Sequence, residues 1–598
     1  MKALSRMLVG SLLFLLCSCA DTITPTTVKI VALNDFHGNF RSPGKLAEVV
    51  GQPVEIVGGV DYLAAYVAER ISQNANHVVV GAGDLVGASP LISSAYHDEG
   101  TIEAMNLLGL DFSSVGNHEF DAGSAELRRK QHGGCFVPPT HTCLEQGKFS
   151  GAKFQYLAAN VIDDKTGRSL FPSYEIRAFG NLRVAFVGLV LAGTPSIVLP
   201  SGVAGLTFRD EAQTVSQLIP ELREKHVNSV VVLVHQGASI DSAPGTGIND
   251  CKGVVDTPGA VAIQKIVAGL PDEVDLVISA HSHVAYNCQM KNSVGRLLPV
   301  TQASAFGRAL TDVDLSFNPT TGRAEKVVAK NILVSQPAAD AATSAVHPFL
   351  SSPSVVAIRA LIADYEKAVA PVANQVVGSI ARALPSNPDP SGEELAGDLV
   401  ADSQLSATSA EGAVMSFING SGVRNPGFNT PNATYPHDVT YQEAFTARPF
   451  GNSLVAMTLT AQQIKDALEQ QFTGCSGQTS DNILQVSKGL HVEWSASAAP
   501  CHKIANVTLT TDGAVSPEKI VSNYVVDQPQ KTYRISMDNY LAAGKSNFTV
   551  FLQGTNQTGG PLDIDAVVSY LSSTTLAPKP PFDPADPALG IPRIKKLE

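Results

Sequence analysis

Five places in the chain carry residue types that hold metal ions. Asp35 and His37 close one apolar run and Asp84 closes another. Asn117 lies within Gly116-Asn117-His118-Glu119-Phe120-Asp121; His235 ends a further run, and His281 and His283 flank Ser282 after the last. A lone histidine is more often a surface or hydrogen-bonded core residue than a ligand. Five such elements, each at the end of an apolar run, are not explained as scatter. Residues two apart in extended chain point the same way, so Asp35 and His37 are expected to face one ion. A carboxylate at Asp84 could bridge two. Carboxylate, amide and imidazole without thiolate suit zinc, manganese, iron or cobalt in an open site, not a closed structural zinc. Two divalent ions roughly 3.5–4 Å apart activate water and clamp a phosphate, so the chemistry implied is phosphoester hydrolysis.

These residues need a scaffold that ends many strands in one place. Val28 to Leu33, His77 to Val80, Val230 to Val234 and Val274 to Ala280 are short continuous apolar runs, read as strands buried on both faces. Between them Asp61 to Gln73 has Leu63, Tyr66, Val67 and Ile71 at helical spacing. This is an α/β pattern, whose sites lie beyond strand ends. Val355 to Val369 reads as a linker helix ahead of Pro371, and the chain divides into residues 28–345, a linker 346–375 and a second unit 376–590. In the second unit Thr460 and Gln463 form a capping box at the head of a helix running to Phe472. The tail after Thr575 is proline-rich and is expected to be irregular.

The 598 residues exceed one ordinary domain, and 44% hydrophobic against 16% charged residues allow large cores. A net charge of −13 argues against a nucleic-acid polymer as partner, without excluding a phosphate that metals could draw in. Lys2, Arg6 and the apolar Met7 to Leu16 read as an export signal, residues 1–20, cleaved after Ala20. A lipoprotein signal that attaches the chain to a membrane through Cys19 fits equally, and both stay open; either puts the protein in the periplasm or on the cell surface. Six of the eight cysteines remain after the signal. In an exported chain they favour disulfides, by proximity Cys135–Cys143, Cys251–Cys288 and Cys475–Cys501, although other pairings are allowed.

The ordered set D-x-H, G-D, G-N-H-E-F-D, H and H-S-H resembles the calcineurin-like metallophosphoesterases. More narrowly, nearly the whole mature chain resembles the exported bacterial 5′-nucleotidase/UDP-sugar hydrolase/2′,3′-cyclic phosphodiesterase family. The resemblance implies two packed sheets flanked by helices in the first unit, where the strand pattern alone would allow a doubly wound sheet, and a separate α/β nucleotide-binding domain in the second. It also implies that Asp35, His37, Asp84 and His283 hold one ion and that Asp84, Asn117, His235 and His281 hold the other. His118 would act on the phosphoryl group or leaving oxygen, with Asp121 orienting it.

In the second unit, Phe417-Ile418-Asn419-Gly420-Ser421-Gly422-Val423-Arg424 resembles the family's N-G-G-G-I-R segment. Arg424 would then clamp phosphate, Asn419 would meet the base or ribose, and Phe450 and Tyr540 would sandwich the base. Two departures stand out. Ser546 occupies the place of an aspartate expected on the ribose, beside an added Lys545, and Gly392 stands where some relatives have a phosphate-binding arginine. The function implied is metal-dependent removal of phosphate from nucleotides. The rival within the same chemistry is a 2′,3′-cyclic phosphodiesterase with 3′-nucleotidase activity; the rival outside it is a surface protein that binds without turnover. Oligomeric state, metal identity and preferred nucleotide are not legible in the sequence.

Overall fold

Alternation along single strands sets the architecture. The computed structural model describes residues 26–45, 56–137, 141–144, 147–198, 200–240, 247–255, 263–336, 347–430, 433–478, 481–511, 513–514, 516–572 and 580–598. In the strand Thr26–Leu33, Val28, Ile30 and Ala32 enter one apolar cluster while Val31 and Leu33 enter another. In the strand Ser229–His235, Val231 and Leu233 join the first of these clusters, and Val230, Val232 and Val234 turn to a third. A strand apolar on both faces must be covered on both. Two six-stranded sheets therefore pack face to face, and helices cover each outer face. Helices Val60–Ser72 and Glu99–Leu108 cover one, and Glu211–Glu224 and Ile263–Gly269 the other. Each fully buried valine, leucine or isoleucine contributes about 1.5–3 kcal/mol.

Parallel pairing places the loops. Thr26–Leu33, His77–Ala82, Phe112–Ser114 and Gln155–Leu157 run parallel in that order in one sheet. Leu182–Val190, Ser229–His235, Val274–Ser279 and Leu297–Ala303 do the same in the other. The registers Leu33 with Gly81, Ala82 with Ser114 and Val234 with Ser279 end these strands close together, so the loops that follow share one end of the sandwich.

The second unit contains a five-stranded sheet ordered Leu484–Val486, Met415–Asn419, Thr532–Asp538, Ser453–Thr460 and Thr555–Leu562. A further five-stranded sheet is built on Leu490–Ser495. The Thr460–Gln463 capping box is formed in both directions, starting the helix Ala461–Glu469. Among the described residues the disulfides are Cys135–Cys143, Cys251–Cys288 and Cys475–Cys501. Among the described residues no helix is long and apolar enough to cross a membrane. The expected export signal, residues 1–20 with Cys17 and Cys19, lies outside the described residues.

The helix expected ahead of Pro371 runs Pro353–Ala373 and is not free of the first unit: Val355, Ile358, Ile362 and Tyr365 are buried in that unit's core, with Tyr365 edge-on to Phe40 and Tyr96. Apolar residues at that spacing need a partner surface, and the sandwich supplies it. The connection is then Asn374 and Gln375, since Val376 already starts the strand Val376–Ile380. The tail is not irregular throughout either. Ile594–Leu597 pairs in parallel with Leu490–Ser495, and Arg593 is 1% exposed with its Nη2 2.8 Å from Asp402 Oδ2.

Candidate active site

The shared end of the sandwich gathers ligand atoms from loops distant in sequence. Asp35, His37 and His283 form one group, and Asp84, His235 and His281 another. His37 Nε2 is 3.1 Å from His283 Nε2 and 3.6 Å from Asp84 Oδ2. His283 Nε2 is 3.4 Å from Asp35 Oδ1. In the second group His235 Nε2 is 3.0 Å from Asp84 Oδ2 and 3.1 Å from Asn117 Oδ1. Asp84 thus touches a member of each group. The other ring nitrogens fix the tautomers: His37 Nδ1 donates to Gly87 O at 2.8 Å and His235 Nδ1 to Ala82 O at 2.9 Å. Each Nε2 is left to face the cluster, the arrangement in which a carbonyl orients a ligating imidazole.

Asp35 and His37 do not converge by strand alternation. Their φ angles are 49° and 48°, and Asp84, His281 and His283 also have positive φ, at 49°, 73° and 59°. The strand has ended, and each side chain turns inward on left-handed backbone, which costs about 1–3 kcal/mol per residue and persists only where surroundings enforce it. Those surroundings are largely visible. Asn34 Nδ2 donates to Asp35 Oδ2 at 2.7 Å and to Ser304 O at 2.6 Å, while its Oδ1 accepts from Ala303 N. Glu119 accepts from the backbone N–H of Asp84, Leu85 and Gly116 at 2.9, 2.9 and 2.5 Å. A Cβ on Gly116 would sit 2.1 Å from Asp84 Oδ1, so only glycine admits that carboxylate. Sequence reasoning assigned no task to Asn34 or Glu119. The signal was there: Asn34 adjoins the ligand candidate Asp35 and Glu119 lies two residues after Asn117, each inside a polar break between apolar runs.

Burial is the largest influence on the rings. It pushes His37 down to about 4 and His281 down to about 3, leaving both neutral with lone pairs free. It also opposes charge on His235, but the Asp84 carboxylate prevails and lifts that ring to about 9. His118 behaves similarly: against burial, Asp121 and Asp84 raise it to about 10. His118 Nδ1 lies 2.8 Å from Asp121 Oδ2, and its ring sits 5.2 Å from that of His37. His118 and Asp121 also line a cavity of about 450 Å³ between the two units, which reaches Tyr441, Gly451 and Asp565.

In the second unit Asn419 ends the strand Met415–Asn419 at 2% exposure, followed by the turn Gly420–Gly422. Arg424 N donates to Ala447 O at 2.9 Å, and its guanidinium lies over Phe450. Tyr540, 45% exposed, is carried by the short helix Asn539–Ala542, its hydroxyl 3.3 Å from Ser546 Oγ. Among the described residues no ring contact joins Phe450 to Tyr540, and no hydrogen bond or ion pair joins Arg424 or Tyr540 to the ligand groups. Gly392 has φ 92°, and a Cβ there would lie 2.6 Å from Ile483, so this turn has no room for an arginine. The units meet close by: a Cβ on Gly451 would be 2.8 Å from Ala88 O, four residues after Asp84.

Residues 28–285 match the calcineurin-like phosphoesterase family, and residues 371–553 match the 5′-nucleotidase C-terminal domain. Endonuclease YhcR of Bacillus subtilis (strain 168) is 28% identical over 554 residues, 91% of this chain, and the chain spans 40% of that relative's length. The 5′-nucleotidase of Bos taurus is 23% identical over 561 residues, 92% of this chain and 88% of the relative. Among solved structures, the NAD nucleotidase of Haemophilus influenzae superposes with a TM-score of 0.60 at 19% identity, over 92% of this chain and 96% of that one. At that identity the likeness is one of fold.

Proposed function

The chain belongs to the calcineurin-like phosphoesterases that carry a 5′-nucleotidase C-terminal domain, hydrolases of phosphoesters, and from that premise we propose that it removes phosphate from 5′-nucleotides outside the cytoplasm. The observation that carries this reading is the convergence of Asp35, His37 and His283 with Asp84, His235 and His281 around the Asp84 carboxylate. The donor set fits two divalent cations: neutral imidazoles at His37 and His281, carboxylates at Asp35 and Asp84, the Asn117 amide, and no thiolate. Asp35, His37, Asp84 and His283 would hold one, and Asp84, Asn117, His235 and His281 the other, with zinc, manganese, iron or cobalt all compatible. Such a pair supplies Lewis acidity at the phosphate and lowers the pKa of water towards neutrality.

His118 is the residue that acts without ligating. Asp121 holds its Nδ1, so Nε2 is the atom that presents a proton to the phosphoryl or leaving oxygen. Arg424 clamps phosphate with its planar fork, Asn419 contacts the nucleoside, and Phe450 and Tyr540 offer faces for the base. The nucleotide spans the two units, and the second unit turns about the short connection at Asn374 and Gln375. Three disulfides support a compartment outside the cytoplasm.

The test is a phosphate-release panel of AMP, ADP, UDP-glucose and 2′,3′-cyclic AMP, run with zinc, manganese, iron and cobalt each restored to stripped protein. Turnover of 5′-nucleotides is expected. Exclusive turnover of the cyclic substrate would move the assignment to a cyclic phosphodiesterase, and no release under any metal would leave a binding protein.

A further inference from the structure

Arg448 is a fully buried arginine that touches all three segments assigned to the nucleotide. Its Nη1 donates to Gly422 O in the turn before Arg424. Its guanidinium carbon is 5.1 Å from the centre of the Phe450 ring. Its Nη2 donates to Asp538 Oδ2 at 2.5 Å, and Asp538 Oδ1 accepts from Leu541 N at 2.8 Å, capping the helix that carries Tyr540. A second carboxylate, Asp563, lies 3.1 Å from Nη2 and accepts from Asn452 N at 3.2 Å, while Asp563 N donates to Asn452 O at 2.8 Å. Among the described residues the arginine's Nε has no hydrogen-bond partner.

A buried ion pair is a poor means of stabilisation, because desolvating both charges offsets their attraction and an apolar filling often serves as well. A site with one donor left unpaired is poorer still. What a guanidinium supplies here and an apolar side chain does not is direction: planar, divergent donors that fix a carbonyl and a carboxylate relative to an aromatic face. Three of the contacts lie on, or within two residues of, a residue proposed to meet substrate: Gly422 beside Arg424, Phe450 itself, and Asp538 beside Tyr540.

We propose that Arg448 is the positioning residue of the nucleotide platform, holding the Arg424 turn, the Phe450 ring and the Tyr540 helix in register without touching substrate. This rests on the nucleotide reading of the second unit. It says that substrate affinity, more than the chemical step, depends on the guanidinium's geometry as distinct from its charge.

The experiment uses the full-length, metal-loaded enzyme and compares Arg448→Lys, Asp538→Asn and the double variant. The substrates are AMP and p-nitrophenyl phosphate, which has no base or ribose. Arg448→Lys keeps charge and bulk but loses the fork, and is expected to raise KM for AMP at least tenfold while kcat falls by much less. Asp538→Asn keeps the cap on Leu541 N with its one oxygen but turns an amide N–H towards the guanidinium in place of the acceptor, and is expected to raise KM likewise. In the double variant the rise is expected to fall well short of the product of the two single effects. An unchanged KM for AMP in both single variants overturns the proposal, as does a loss of kcat equal for AMP and p-nitrophenyl phosphate. If the unsubstituted enzyme releases phosphate from p-nitrophenyl phosphate but from no nucleotide, the nucleotide reading itself has failed, which is a different result from either.

Discussion

The guanidinium carbon of Arg424 lies 4.5 Å from the centre of the Phe450 ring. A cation over an aromatic face is held by the ring's quadrupole, by about 0.5–1 kcal/mol at a solvated site. The proposed phosphate clamp and the proposed base platform are therefore coupled before substrate arrives. A base stacking on that face must share it with the guanidinium or turn the guanidinium aside towards phosphate. Phe450→Leu keeps apolar bulk but removes the face. Since stacking contributes about 1–3 kcal/mol per base, KM for AMP is expected to rise roughly tenfold or more. Initial-rate measurements over a range of AMP concentrations read this directly; a KM within twofold of the unsubstituted enzyme would remove Phe450 from base recognition.

The 2.8 Å contact between His118 Nδ1 and Asp121 Oδ2 makes a second, graded prediction. His118→Asn removes the proton-bearing ring and is expected to lower kcat by about 10²–10⁴, the usual range for a positioned acid or base. Asp121→Asn leaves the ring but weakens its orientation, so its loss should be smaller. Neither belongs to the two ligand groups, and metal content measured by plasma emission should stay at the unsubstituted level in both. A parallel loss of metal and activity in His118→Asn would make it a ligand instead.

Strand runs and their polar stops were legible because both faces of each strand are apolar and the break to Asp35, Asp84, His235 or His281 is abrupt. The pairing of the cysteines followed proximity, and the start of the helix Ala461–Glu469 followed its local capping box. Less local matters escaped. Asp35 and His37 share a site through left-handed turns enforced by Asn34 and by contacts from elsewhere in the chain, which no periodicity encodes. The burial of Pro353–Ala373 depended on a surface supplied by residues more than two hundred positions away. The tail strand was hidden by the prolines before it, although Arg593, followed by Ile594, is anchored on Asp402 and Glu393. Arg448 was passed over because its neighbours come from three separate segments.

Glu119 accepts three main-chain N–H bonds from Asp84, Leu85 and Gly116, and is 2% exposed. Glu119→Ala strands those donors in a buried loop, at a cost of about 1–3 kcal/mol for each one left unpaired. The loop carries Asp84, so both thermal stability and metal retention are expected to drop, with Glu119→Gln intermediate. Calorimetry and metal analysis on the same samples test this; an Ala variant that melts within a degree of the unsubstituted protein contradicts the role given to these bonds.

Two candidate cation sites assembled only in the folded chain imply a linkage between metal and stability. Adding manganese or zinc to stripped protein should raise the melting temperature as the logarithm of free metal, and a chelator should reverse it. Asp84→Asn, which alters the carboxylate touching both groups, should lose most of that dependence. A melting temperature indifferent to metal would mean that the two groups do not bind cations in solution.

Away from the site, Glu443 offers a test of pH dependence. It caps the helix Tyr441–Ala447, accepting from Thr440 N at 2.8 Å, from His437 Nε2 at 2.9 Å and from the Thr430 hydroxyl. Burial acts to raise its pKa, but these bonds outweigh it and bring the carboxyl from 4.5 down to about 2. A carboxyl whose folded pKa is depressed adds stability above its unfolded pKa and loses it as pH falls through the folded one. The contribution is therefore full above about pH 5 and disappears between there and about pH 2; a gap of that size is worth at most about 3 kcal/mol. Glu443→Gln retains the cap geometry without the charge. Its melting temperature should lie below that of the unsubstituted protein at pH 7, and the difference should narrow as pH is lowered from 4.5 towards 2. A difference that stays constant across that interval would assign the effect to shape, not to the charge of the carboxylate.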